Sequence, residues 1–341
     1  MESAIPSAKR YLLVLAAVFV CAFGAVWAFT LYGRAGFLDM DYGQWTAKAE
    51  MLKSCDVGEV AIIGDSRAAA GYAPAMLGTG IRNLALTGAT PVETYFQAKR
   101  IAACPRPPRV VIVSFSPRQY FEMNWLWLHA VSYGQLGFGD LQQIAADEHA
   151  LHRSDLYHGA FGSEPPPPMK NWMYAYHFPP YDFASLIGAH LVGRRHENAK
   201  IEADTLRQGG QHVNGIPAKC ATGLAWEATQ KTFTANPLVT LYLQRMLKLF
   251  ADRHIAVVFG PTPMSAASMR ILDPAYAAGY RAYLMQQAAP YANARFAPDL
   301  LTTRPDCAFG DAHHLNQAGA EAFSRDYAPE LGRLTADIPH G

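Results

Sequence analysis

The sequence contains little that would indicate a nucleotide, metal or nucleic-acid site. It has no P-loop, no G-x-G-x-x-G motif and no cluster of Cys and His with zinc-ligand spacing. Its 29 Lys and Arg nearly balance 28 Asp and Glu, and it has no long block of like charge and no internal repeat. We therefore expect no metal, no nucleotide, no other cofactor and no nucleic-acid partner.

The composition is that of a folded protein. Half of the 341 residues are hydrophobic and 12% are aromatic, which is enough for a sizeable packed core and excludes a disordered chain. The length fits one large domain or two ordinary ones.

The one long apolar run lies near the N-terminus. Residues 11–31 carry no charged side chain, and a helix of this length spans a hydrocarbon core of about 30 Å. Lys9 and Arg10 precede it, which favours a cytoplasmic tail (1–10) and an exported remainder. A cleaved signal peptide is the alternative, with Val26 and Ala28 as cleavage-site residues, but the run is longer than a usual signal core. We predict an uncleaved single-pass anchor in the inner membrane and a periplasmic or otherwise extracytoplasmic domain.

The cysteines fit an exported domain. Cys21 lies in the apolar run, whereas Cys55 and Cys104 each precede a predicted strand by a similar short interval. If those strands are parallel neighbours, the two thiols lie at the same end of the sheet and can bridge. We predict Cys55–Cys104 and, from the remaining pair, Cys220–Cys307; four buried free thiols are the alternative.

Past the apolar run, strands and helices alternate, which predicts an α/β fold with a parallel sheet and right-handed crossovers. Helices are predicted over 91–102 and 237–252, and a weaker helix or turn over 67–78. The predicted strands are 59–66, 81–88, 109–116, 254–261 and 294–301.

The segment 121–235 interrupts this alternation. It is too long for a structureless loop, so we predict an inserted subdomain or lid within a domain of residues 55–341, after a juxtamembrane segment at 32–54. The insertion contains the tetraproline 165–168 and aromatic stretches at 123–134 and 171–183. These aromatics line a groove for sugar rings, rest on the membrane surface, or form the core of the insertion.

Two short motifs carry the chemistry. Ser66, in GDS, follows the first predicted strand, where α/β sheets place their active sites; a helix N-cap is the ordinary alternative. Asp311 and His314, in DAHHLN, are three residues apart, so an aspartate can orient an imidazole that takes a serine proton. Asn316 can cap the helix that follows.

These motifs resemble those of the SGNH (GDSL-like) hydrolases, an esterase superfamily with a flavodoxin-like α/β/α sandwich. The resemblance covers residues 57–118 and 254–330. It implies that Ser66 is the nucleophile, Asp311 the orienting acid and His314 the general base. It also implies an oxyanion hole that includes the backbone N–H groups of Ser66 and Gly88.

One block departs from that pattern. The superfamily has G-x-N-D after the third strand, and its Asn donates to the oxyanion, whereas this chain has SFSPRQYF at 114–121. Ser116 or Arg118 replaces the donor, or backbone groups act alone. Loss of one donor costs on the order of 10²–10³ in rate, so plain esterase activity is expected to be poor.

Neighbouring residues receive secondary roles. Asp65 is predicted to bind backbone N–H groups of the turn, and His313 competes with His314 as the base. Substrate contacts are predicted, with ordinary surface or core positions as the alternative, for four side chains: Arg67, Arg118, Trp125 and Trp172.

The anchor, the insertion and the altered block resemble those of SGNH proteins that modify cell-envelope polymers, as in alginate O-acetylation and D-alanyl transfer to lipoteichoic acid. This resemblance implies an O-acyltransferase, most simply an O-acetyltransferase, with a polysaccharide acceptor and a membrane-bound O-acyltransferase as donor partner. The alternatives are a carbohydrate acetyl-esterase with the same residues and a non-catalytic polysaccharide-binding scaffold.

Overall fold

The fold is organised by a parallel five-stranded sheet with the strand order β2–β1–β3–β4–β6. The computed structural model describes residues 8–123, 125–153, 156, 167–220 and 223–338. Its strands are β1 (Val60–Gly64), β2 (Ile81–Asn83), β3 (Val110–Ser114), β4 (Ala256–Phe259), β5 (Thr262–Ser265), β6 (Ala294–Phe296) and β7 (Leu301–Arg304). The five predicted strands are thus the five strands of the sheet, whereas the parallel pair β5–β7 was not predicted.

Helices cover both faces of the sheet. They are α1 (Ala8–Tyr32), α2 (Asp41–Lys53), α3 (Ser66–Gly71), α4 (Pro74–Leu77), α5 (Pro91–Ala102), α6 (Phe138–Ala150), α7 (Pro167–Ala175), α8 (Pro179–Gly188), α9 (Arg195–Arg207), α10 (Pro237–Asp252), α11 (Ala266–Ile271), α12 (Pro274–Ala288) and α13 (Gln317–Thr335). α5 and α10 match the helices predicted over 91–102 and 237–252, and α3 and α4 occupy the weaker region.

The two faces bury alternate residues of each strand. Ile63 and Val111 pack with apolar residues of α5, α10 and α12, whereas Ile62 and Ile112 pack with those of α3, α4 and α13. Because strand side chains alternate between faces, these continuous apolar strands are those of a sheet covered on both sides. The chain is therefore an α/β protein with helices on both sides of a parallel sheet.

The apolar run forms α1, which is long and apolar enough to cross a membrane. Most of its side chains are exposed, and only Thr30, near its C-terminal end, is fully buried by the rest of the protein. Of the predicted tail 1–10, residues 1–7 lie outside the described residues, and residues 8–10 belong to α1.

Both predicted disulfides are present: Cys55 is bonded to Cys104 and Cys220 to Cys307. Cys55 and Cys104 precede β1 and β3, which are adjacent parallel strands, so the two thiols lie at the same end of the sheet as predicted. Cys21 is a free, exposed thiol on α1. These bridges are consistent with an oxidising compartment.

The segment 121–235 contributes a π-helical turn (Leu126–Val131) and the helices α6 to α9. Its apolar residues, including Leu126, Leu141 and Leu186, belong to the same hydrophobic cluster as one face of the sheet. The predicted aromatic stretches are described except for residue 124, and they include exposed rings such as Trp125, Trp172 and Phe183. The tetraproline enters α7 at Pro167, and residues 165–166 lie outside the described residues.

The segment predicted as juxtamembrane, 32–54, is also part of this packed structure. Its helix α2 buries Trp45, Met51 and Leu52 in the sheet cluster and packs against α9. This packing brings the start of α2 to the carboxyl end of the sheet, beside Ser66.

Candidate active site

Ser66 is the first residue of α3, directly after the turn that ends β1. The N-cap of this helix is Asp65, whose Oδ1 accepts the backbone N–H groups of Arg67 at 3.0 Å and Ala68 at 3.4 Å. The capping role considered for Ser66 is therefore filled by Asp65, as expected for that carboxylate, and the Ser66 hydroxyl is directed elsewhere.

The Ser66 hydroxyl meets His314. Ser66 Oγ lies 2.8 Å from His314 Nε2, and His314 Nδ1 lies 2.8 Å from Asp311 Oδ2. A carboxylate accepts the Nδ1 proton, which leaves Nε2 as the acceptor for the hydroxyl proton. The structure thus brings together the three predicted catalytic residues with the geometry of a Ser–His–Asp triad.

Asp311 is held in its ionised form. Partial burial opposes ionisation, but the hydrogen bond and charge of His314, with the backbone N–H groups of His313 and His314 on Oδ1, keep the pKa of Asp311 well below its usual range. Asn316 caps α13 by accepting the N–H of Gly319 at 2.9 Å, as predicted, and so fixes the loop before the helix.

Gly88 lies beside Ser66 at the end of an extended segment that continues β2. Leu84 and Leu86 still donate backbone N–H groups to β1, and the chain then turns at Gly88 with φ of +73°. A Cβ here would lie 2.7 Å from His129 Nδ1, so space as well as conformation requires glycine. Among the described residues, no backbone acceptor meets the N–H of Gly88 or of Ser66, and both residues line the same cavity.

Ser116, a predicted oxyanion donor, lies near Ser66, but both of its donor groups are bonded to another side chain. Its backbone N–H and its hydroxyl both donate to Asp65 Oδ2, at 2.8 and 2.5 Å. Both donor groups are engaged because the Asp65 carboxylate, one residue before Ser66, has two oxygens. One oxygen caps α3, and the other ties the β3 loop to the β1 turn.

Arg67 is almost completely buried and is held by an ion pair within the protein. One guanidinium nitrogen donates to Glu227 Oε2 at 2.7 Å and lies 3.1 Å from His313 Nδ1. Burial opposes the charge of Arg67, but Glu227 and Asp65 outweigh it and raise the pKa of Arg67. Burial and this cation lower the pKa of His313 to about 4, so His313 is neutral at pH 7. It is His314, not His313, that is hydrogen-bonded to Ser66.

The triad opens into a cavity of about 460 Å³. Ser66, Gly88 and His314 lie in its wall, and its lining also includes Asp41, Arg118, Gln119 and Trp125. Arg118 is paired with Glu122 at 2.8 Å and lies over the Trp226 ring. The exposed Trp125 ring stacks on His129 at 5.0 Å. Three of the predicted substrate contacts, Arg67, Arg118 and Trp125, are thus placed at the cavity.

Trp172, the remaining predicted substrate contact, is placed elsewhere. Its ring meets Trp27 of α1 edge-on at 5.5 Å, and it is absent from the cavity lining. The sequence pattern could not separate it from Trp125, because both lie in aromatic stretches of the same insertion.

The sequence gives no sign that α2 contributes a side chain to the cavity at Ser66. Asp41 faces the cavity 3.9 Å from His129 Nε2 and 3.8 Å from His212 Nε2, and burial raises the pKa of Asp41. Gln44 donates to Asp41 and to the Thr87 hydroxyl. The run DMDYGQ at 39–44 has no spacing that links it to Ser66, so only the packing of α2 reveals this role.

Lys48 of α2 supports the loop that carries Gly88. The side chain is buried, and Nζ donates to the Ala85 carbonyl at 2.5 Å. Burial without a carboxylate partner lowers the pKa of Lys48 to about 7. The lysine therefore holds the loop with a hydrogen bond rather than with an ion pair.

Lys48→Met is expected to raise the free energy of unfolding by about 2–3 kcal/mol at pH 6, because the charged amine is costly to bury. The folded-state pKa lies below the unfolded value, so the unfolded chain binds more protons from pH 7 to about 10.5 and the wild type gains stability over that range. The advantage of the variant must therefore shrink as pH rises. Guanidinium unfolding of the full chain in detergent at pH 6 and 9.5 measures this.

The matched control is Lys53→Met, which removes an exposed lysine from the same helix and is expected to change stability by less than about 0.5 kcal/mol. The lowered pKa of Lys48 is contradicted if Lys48→Met is no more stable than the wild type at pH 6. It is also contradicted if the stability advantage of the variant grows towards pH 9.5.

In the described part of the chain, no three His, Cys, Asp or Glu side chains are grouped so as to hold a metal ion. Comparisons of this chain with protein-family models, curated proteins and solved structures found no match.

Proposed function

We propose that this protein is an extracytoplasmic O-acyltransferase, most simply an O-acetyltransferase, that modifies a cell-envelope or exported polysaccharide through an acyl-enzyme on Ser66. The observation that carries the proposal is the Ser66–His314–Asp311 relay, with both hydrogen bonds at 2.8 Å and the serine at the wall of an open cavity.

The fold supports membership of the SGNH hydrolase superfamily. Renumbered within the sheet, the strand order is 2-1-3-4-5, which is the order of flavodoxin-like folds. Ser66 follows the first strand and Asp311 and His314 precede the last helix, at the positions that the superfamily resemblance implies.

In the first half-reaction, His314 Nε2 takes the proton of Ser66 Oγ as this oxygen attacks the acyl carbonyl carbon. The carbonyl electron pair moves to oxygen, where the N–H groups of Ser66 and Gly88 stabilise it. Collapse breaks the bond to the donor's leaving group, which takes the proton from His314. The acyl group is then esterified to Ser66.

In the second half-reaction, an acceptor hydroxyl gives its proton to His314 and attacks the same carbonyl carbon. Ser66 leaves as the alcohol after it takes that proton back. The exposed ring of Trp125 offers a face for a sugar, and Gln119 and Arg118 offer polar groups beside it. This lining favours a carbohydrate hydroxyl as the acceptor.

Two features support the proposed location of the enzyme. α1 has the length and composition of a single-pass anchor, which we place in the inner membrane, and the two disulfides favour an oxidising, periplasmic side. A membrane-bound O-acyltransferase is the expected source of the acyl group.

Incubation of the full chain in detergent with 4-nitrophenyl acetate tests the proposal. We expect one added acetyl group, mapped to Ser66 by peptide mass spectrometry and absent from Ser66→Ala. Ser54→Ala, an exposed serine at the end of α2, is the control and should retain the adduct. If the wild type forms no adduct at Ser66, the transferase and the esterase are both excluded, and the non-catalytic scaffold is the alternative that remains.

The acceptor is tested on the acetylated protein. Turnover that rises with added oligosaccharide and yields acetylated sugar supports a transferase. Hydrolysis that oligosaccharide does not divert identifies an esterase with the same residues.

A further inference from the structure

We propose that one face of the insertion lies in the outer interface of the membrane and forms a second lipid contact beside α1. We name it the α7–α8 face. It consists of the outward side chains Met169, Trp172, Tyr176, Phe183, Ile187 and Leu191, each more than 40% exposed. The proposal rests on the membrane anchoring in the proposed function but not on its chemistry.

The α7–α8 face is continuous with the end of α1. Trp27 donates its indole N–H to the Tyr176 carbonyl at 2.7 Å, and its ring meets Trp172. Thr30 donates its hydroxyl to the His177 carbonyl at 2.8 Å and is fully buried there. The last turns of α1 are thus attached to the loop between α7 and α8.

The length of α1 sets the level of this attachment. Lys9 and Arg10 mark the inner boundary, and a helix that rises about 1.5 Å per residue crosses about 30 Å of hydrocarbon between Tyr11 and Thr30. Trp27 and Thr30 therefore lie at the outer boundary of the bilayer. Trp and Tyr side chains are enriched at this depth, where their rings are buried and their polar atoms are wet.

α8 buries Leu186 and Asp182 and exposes further apolar residues on its outer side. Asp182 is buried, and its carboxylate is hydrogen-bonded to His177 at 3.2 Å. Phe183 and Ile187 point outward, and Ile187 is 75% exposed. Apolar residues grouped on the outside of a folded chain indicate a contact with a partner or a membrane, and the level of α1 selects the membrane.

This placement brings the catalytic cavity close to the bilayer. A narrower cavity of about 140 Å³ is lined by Tyr181 and Ser185 of α8 and shares Trp125 and His129 with the cavity at Ser66. An acyl donor delivered within the membrane therefore approaches Ser66 from the side of the α7–α8 face.

The test is a depth measurement on the full chain in vesicles of phosphatidylethanolamine with a minority of phosphatidylglycerol. A nitroxide is attached to Ile187→Cys or, as a second variant, to Leu191→Cys, each in a Cys21→Ala background. Its collisions with oxygen, which partitions into lipid, are compared with those with water-soluble nickel ethylenediaminediacetate. Met285→Cys, at an exposed position on α12, is the aqueous control, and Val18→Cys on α1 is the lipid control.

We expect labels at 187 and 191 to lose most collisions with the nickel complex and to keep those with oxygen, as at position 18. Nickel access equal to that at position 285 overturns the membrane contact while the position 18 result upholds the anchor. Exclusion of both reagents indicates a protein partner and also overturns it. Acetylation of Ser66, measured on the same vesicles, reports the proposed chemistry separately.

Discussion

Replacing Asp311 with asparagine is expected to lower the rate of Ser66 acylation by about 10⁴-fold, the size of effect seen when the orienting acid of a serine triad becomes an amide. The asparagine Oδ1 can still accept the N–H groups of His313 and His314, so the loop should keep its conformation. Its NH₂ group would, however, donate to His314 Nδ1. His314 Nε2 would then carry the proton and could not take one from Ser66.

The measurement is the rate of acetyl incorporation into Ser66 from 4-nitrophenyl acetate. Asp299→Asn, an exposed aspartate in the β6–β7 connection, is the matched control and should acylate at the wild-type rate. An Asp311→Asn protein that remains within tenfold of the wild type would show that the 2.8 Å contact is structural. Ser66 would then be activated in another way.

The site was predictable where its residues are held by short-range geometry. Asp311 and His314 are three residues apart, and their loop is fixed by bonds within itself and by the Asn316 cap. Ser66 follows a strand whose apolar character already placed it in the sheet. The common edge of a parallel sheet then brings the two motifs together across 248 residues.

The rest depends on packing that the sequence does not encode locally. Ser116 was predicted as an oxyanion donor because of its place after β3, but only the structure shows that Asp65 uses both of its donor groups. Asp41 and Lys48 reach the site because α2 packs beside the sheet. Nothing in the sequence near α2 connects it to Ser66, 13 residues beyond the end of that helix.

The same contrast applies to the fold. The strands β1, β3 and β4 follow from short runs of apolar, largely β-branched residues, and α10 follows from apolar residues at helical spacing. The insertion offers no such periodicity. Its helices form because aromatic and aliphatic side chains such as Leu126, Leu141 and Leu186 join the core that the sheet and α5 already require.

Single replacements within the Arg67–Glu227 pair are expected to cost about 3–5 kcal/mol of stability, because each leaves an uncompensated charge in the interior. Glu227 is completely buried and Arg67 almost so, with 2.7 Å between Nη2 and Oε2. Burial works against the Glu227 carboxylate, but Arg67 outweighs it and lowers the pKa of Glu227. The pair joins the residue after Ser66 to the segment that carries Trp226.

A double-mutant cycle measures the pair, with guanidinium unfolding of the full chain as the readout. Arg67→Met and Glu227→Leu are each expected to destabilise strongly, whereas the double variant should lie close to the wild type, since apolar side chains of similar volume replace a buried pair at little cost. The exposed Arg82–Asp56 pair is the control, and Arg82→Met should cost about 1 kcal/mol or less.

The pH dependence of the same cycle gives a second check. A glutamate whose folded pKa is depressed contributes stability above its unfolded value, near 4.5, and loses that contribution as pH falls through the folded pKa. In Arg67→Met the carboxylate has no cation and can be relieved by protonation, so the cost of that change should shrink from pH 7 to pH 4. Additive single effects, or a cost of Arg67→Met that does not depend on pH, would mean that the two side chains do not act as a buried ion pair.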